Sequence, residues 1–125
     1  MTRIFLAIAA IFGGLSVAAG AFASHALREK LSERALQIFE TAARYQMYHA
    51  IALLLVALLL SRAEFPQPSL MAAGWAFIIG ITIFSGSLYA LSLTNIKVLG
   101  AITPLGGAAF LAGWGCLAYA AFSFK

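Results

Sequence analysis

Residues 70–93, LMAAGWAFIIGITIFSGSLYALSL, run for 24 positions without a charged side chain. At the α-helical rise of 1.5 Å per residue this stretch is roughly 36 Å long, more than the roughly 30 Å of a bilayer's hydrocarbon core. Three further apolar stretches, at about 4–23, 45–61 and 103–123, flank it on either side. The composition points the same way: 63% of the 125 residues are hydrophobic and 10% are charged. A water-soluble chain of this size has too little interior to hide so much apolar side chain. The reading is an all-α membrane protein, a single four-helix transmembrane bundle with an amphipathic extension before the second span.

The first span contains Gly13, Gly14, Ser16 and Gly20 in rows that let helix backbones approach closely in lipid. A cleaved signal peptide is the rival reading, with Arg3 as its basic start and Ala21-Phe22-Ala23 as its cleavage site. A retained anchor that packs is the expectation. Residues 28–44 hold seven of the twelve charged side chains. Ser32 followed by Glu33 reads as a helix N-cap with an acidic first turn. Over 33–44, Glu33, Gln37, Glu40 and Arg44 form one polar stripe; Leu36, Phe39 and Ala43 form an apolar one. This predicts a helix at the interface, its polar stripe facing water or headgroups, that runs on into the second span.

The prolines at 66 and 68 predict a turn, with Ser69 capping the third span. Pro104 allows two readings: first helical position behind a Thr103 cap, or a kink inside a longer helix. The first is preferred, with residues 98–102 as an apolar lead-in. Gly86, Gly106, Gly107 and Gly113 are read as further close-packing positions. Four crossings put both chain ends on one side of the membrane. Lys and Arg divide as Arg3, Arg62 and Lys125 on that side against Arg28, Lys30, Arg34, Arg44 and Lys97 on the other. The division favours a plasma (inner) membrane protein with its termini outside.

Polar groups within the spans are costly and draw interest. His25 ends the first span, and Tyr45, Gln46 and His49 open the second. Ser85, Ser87 and Tyr89 lie in the last turns of the third, and Thr103 opens the fourth. With Glu40 and Arg44 above them, these residues are expected to converge near one membrane face, His25 and His49 included. Each histidine is read either as an interfacial group bonded to a neighbour or as a proton relay or cofactor ligand. Two histidines alone make a poor metal site, so no metal or cofactor is expected. The chain has no Asp, hence no Ser-His-Asp triad, and no phosphate-binding glycine loop. The lone Cys116 carries no disulfide. No enzymatic activity is expected, and eight scattered basic residues without interleaved aromatics do not suit nucleic acid.

Several blocks then occur in order: residues 20–27 (GAFASHAL), 45–50 (YQMYHA), 84–89 (FSGSLY), 103–107 (TPLGG) and 113–114 (GW). Together they resemble the YgdD/YwdK family of small multi-pass bacterial inner-membrane proteins, with Ser24 a minor departure before His25. The resemblance covers nearly the whole chain and implies a multi-pass membrane protein, but no activity, since the family is of unknown function. The function expected is a non-enzymatic accessory or scaffold component, in contact with membrane lipids and within a homo-oligomer or larger membrane complex. A proton-coupled or small-solute transport element built from an oligomer is the alternative, and a haem-binding redox protein the third.

Overall fold

The computed structural model describes residues 1–124; Lys125, counted above among the charges, lies outside the described residues. Helices α1 (Thr2–His25), α2 (Glu33–Arg62), α3 (Pro68–Gly80), α4 (Gly86–Thr94) and α5 (Leu99–Ala120) follow one another. A turn of π-helix, Ile81–Ser85, joins α3 to α4 into one 27-residue rod. The bundle therefore has four rods, each long and apolar enough to cross a membrane.

The ends follow local chemistry. Ser32 accepts a hydrogen bond from Ala35 N at 3.1 Å, with Glu33 in the first turn of α2 as its dipole favours. Asn95 closes α4 in the left-handed conformation, φ 59°, which asparagine tolerates better than most residues. The expected Ser69 cap is corrected. The helix begins two residues earlier, with Gln67 as N-cap and Pro68 in the first turn, where its fixed φ fits and its missing N–H costs nothing.

Pro104 is also corrected: it lies inside α5, as the sixth residue of the helix, rather than opening the span. Its missing N–H removes one bond, to the Gly100 carbonyl. An irregular 98–102 segment would instead leave several backbone groups without water to bond them. One lost bond is the smaller cost.

Successive rods run antiparallel. Phe5, Leu53, Val56, Leu70 and Phe77 are fully buried and form the core toward the end holding Met1. Ala23, Leu27 and Phe39 form a smaller cluster toward the other end. Glycines set the closest approaches. A Cβ on Gly106 would lie 2.7 Å from Phe84 Cα, and one on Gly113 would lie 2.6 Å from Phe77 Cε1. Gly74 and Gly80 likewise leave room for the rings of Phe5 and Phe110. Gly13, Gly14, Gly20 and Gly86 instead have open space where a Cβ would stand, so within this chain they serve no close helix approach. A Cβ on Gly107 would stand in ordinary contact with Phe84, at 4.0 Å from Cδ2.

The amphipathic segment 33–44 is helical and continuous with the second span. Phe39 and Ala43 are buried, while Glu33, Gln37 and Arg44 are exposed and Glu40 is half-buried. Ser16 donates to the Ala43 carbonyl and Gln46 to the Phe12 carbonyl, so the later part of this segment lies beside the middle of α1.

Candidate functional site

The polar residues of the spans form a seam through the bundle, built on α2. On one side Ser16 Oγ donates to Ala43 O at 2.5 Å; on the other Ser85 Oγ donates to Ala42 O at 2.7 Å. Two adjacent carbonyls of α2 thus bind α1 and the π-turn. One turn further along, Gln46 bridges two rods. Its Nε2 donates to Phe12 O at 2.8 Å and its Oε1 accepts from Tyr89 OH at 2.6 Å. Tyr89 also packs on Phe39, with ring centroids 4.9 Å apart. Ser87 and Thr103 share a 2.6 Å hydrogen bond that ties α4 to α5.

His49 forms the far end of the seam. Indole can only donate, so the 3.1 Å bond from Trp114 Nε1 makes His49 Nε2 an acceptor. The proton then sits on Nδ1, which donates to Tyr45 O at 2.7 Å. The imidazole stacks on Phe110 with centroids 3.5 Å apart and planes 7° from parallel. Both ring nitrogens are thus engaged, Nδ1 as a donor and the Nε2 lone pair as the acceptor for Trp114. Among the described residues no three potential metal-ligating side chains come together, and no buried side-chain nitrogen or oxygen lacks a hydrogen-bond partner.

The expected meeting of His25 and His49 does not occur. His25 is exposed at the end of α1, whereas His49 is buried one turn beyond Gln46, which pairs with Phe12. Thirteen residues of α1 separate Phe12 from His25, roughly 20 Å of helix. The mismatch arises because α2 enters the bundle at its first turns rather than at Tyr45. Glu40 and Arg44 also stand apart from the seam, lining an open groove of about 390 Å³ with Ser16, Gly20, Ser24 and Met47. Tyr45 is exposed and packs on Phe84, with ring centroids 4.8 Å apart and planes tilted by 32°. Along the seam Gln46 pairs with Tyr89 and Ser87 with Thr103, while Ser85 bonds only to the Ala42 carbonyl.

Trp114 was absent from the expected site, although a tryptophan in an apolar span needs an acceptor for its N–H, and His49 was the natural candidate. The carbonyl acceptors at Phe12, Ala42 and Ala43 carry no signal in side-chain identity.

A family described as "Protein of unknown function (DUF423)" matches residues 19–107. The UPF0382 membrane protein YwdK of Bacillus subtilis is 43% identical over 122 residues, 98% of each chain. The UPF0382 membrane protein SH2409 of Staphylococcus haemolyticus is 40% identical over the same length and coverage. No solved structure matches. The resemblance drawn from the five blocks is therefore borne out, and with it a membrane location.

Proposed function

Because this chain belongs to the DUF423 family of membrane proteins of unknown function, we propose that it is a non-enzymatic accessory or scaffold component of a larger assembly in the plasma (inner) membrane. One observation carries this reading. The groove between α1 and α2 places Glu40 and Arg44 on the outer surface of the bundle, beside Ser16 near the middle of α1. A cation facing hydrocarbon near mid-membrane costs on the order of 3 kcal/mol, which a polar neighbour offsets. Gly20, where a Cβ would meet nothing within 4 Å, leaves room for another backbone. The occupant that fits is a transmembrane helix of a partner protein bearing hydroxyl or amide groups, because Glu40 and Arg44 together are neutral. The seam supports the same assignment, since its polar groups are spent on joining helices.

Affinity purification of the tagged chain from its native membranes in mild detergent tests the reading. A stoichiometric membrane partner is expected, and it should be lost with Gly20→Leu or Arg44→Leu while the helical content is kept. Recovery of the chain alone, of a second copy alone, or of a partner that both variants retain would overturn it.

A further inference from the structure

A cavity of about 500 Å³ opens where the first turns of α2 meet the turn between α4 and α5. Arg34 and Lys97 bring two positive charges to it, Ser32 and Asn95 add hydrogen-bonding groups, and Ile38 and Leu91 form apolar walls. No carboxylate is among its lining residues. A second hollow of about 230 Å³ shares Arg34 and Ile38 with the first and continues past Gln37, Thr41 and Leu88. Thr41 lies seven residues beyond Arg34 on α2, roughly 10 Å deeper into the bundle. The depression therefore starts between two cations at the end of the bundle and continues toward its middle along the apolar side chains of Ile38 and Leu88, with the uncharged Gln37 and Thr41 beside them.

We propose that this depression binds an anionic glycerophospholipid, its phosphate between Arg34 and Lys97 and an acyl chain along Ile38 and Leu88. The charge pattern selects the ligand. Two cations without an opposing carboxylate favour an anion, and each basic group near an anionic headgroup strengthens binding about fivefold. The apolar continuation selects the source, because a free phosphate has no use for the walls at Ile38 and Leu88. Basic pockets between transmembrane helices are a recurrent solution for lipid headgroups. The site is independent of the groove between α1 and α2, and the two can fail separately.

The test uses the full chain in phosphatidylcholine nanodiscs, with fluorescent phosphatidylglycerol as probe and fluorescent phosphatidylcholine as reference. Preferential association with phosphatidylglycerol is expected. Arg34→Gln with Lys97→Gln should weaken it by about fivefold for each charge removed. Arg28→Gln with Lys30→Gln removes as much charge from the exposed turn outside the cavity and should leave the preference intact. Ile38→Trp, which fills the apolar hollow without altering charge, should also weaken it. All four cations are exposed, so these variants keep the fold, and equal circular dichroism confirms it. No preference for phosphatidylglycerol, an equal loss in both double variants, full retention in Ile38→Trp, or displacement by millimolar inorganic phosphate would each overturn the proposal.

Discussion

His49 makes three contacts at once and so joins α2 to α5: Tyr45 O one turn back on its own helix, and the Phe110 ring and the Trp114 N–H on α5. Replacing it by alanine leaves the indole donor facing hydrocarbon and opens a cavity against Phe110. We expect His49→Ala to cost about 1–3 kcal/mol, seen as a loss of several degrees in Tm in detergent. A double-mutant cycle with Trp114→Phe should return a coupling on the order of 0.6 kcal/mol, the usual scale for hydrogen bonds between membrane helices. Additive losses in that cycle would mean the 3.1 Å contact carries no energy. His25→Ala should leave Tm within error, because that ring is exposed and no neighbour depends on it. At this scale the sequence marks which residues are polar and buried, and Gln46, Ser85, Ser87 and Tyr89 are legible on that ground. It does not mark their depth. The pairing of His25 with His49 fails because depth follows from how α2 slides against α1, which no local pattern encodes.

Glycines that look alike in the sequence divide sharply once the helices pack. Gly106 lets α5 rest against the backbone of Phe84, where a Cβ would come 2.7 Å from Cα, and backbone cannot swing aside. Gly106→Ala should cost about 1–3 kcal/mol by overpacking. Gly86→Ala, with open space around the new methyl, should be neutral or slightly stabilising, since alanine is the better helix former. Thermal unfolding of both variants in one detergent checks the contrast, and equal effects would show that the close approach is not maintained in solution. The four rods themselves are legible, because long uncharged runs leave a helix little alternative in lipid. The π-turn is not. Its residues, ITIFS, continue the apolar run without a proline or charge, and it is seen only where Phe84 meets Gly106 and Ser85 meets Ala42. Pro104 misleads for the opposite reason: a strong local breaker yields to the need to keep the surrounding backbone bonded.

Across the whole molecule, alternate rods reverse direction, so Arg62 and Lys97 sit at opposite ends of the bundle. With Cys116 changed to alanine, a single Arg62→Cys variant should react with a membrane-impermeant maleimide in intact cells, and a single Lys97→Cys variant only after permeabilisation. Reaction of both from outside would contradict the four crossings; the reversed pattern would contradict the orientation drawn from the basic residues. The architecture is legible at this scale from composition and span lengths, whereas the groove and cavity on its surface depend on which helix faces are left over after packing. One earlier detail bears on how such a bundle tolerates sequence drift. The two serines that clamp α2 from either side read its main chain at Ala42 and Ala43 rather than any side chain. A mutation at those positions can spoil the fit by size, but it cannot delete the acceptor, because every amino acid brings a carbonyl. The vulnerable half of each clamp is the serine, so loss of adhesion at this joint has to arise on α1 or on the π-turn, and α2 is free to change wherever a small residue still fits.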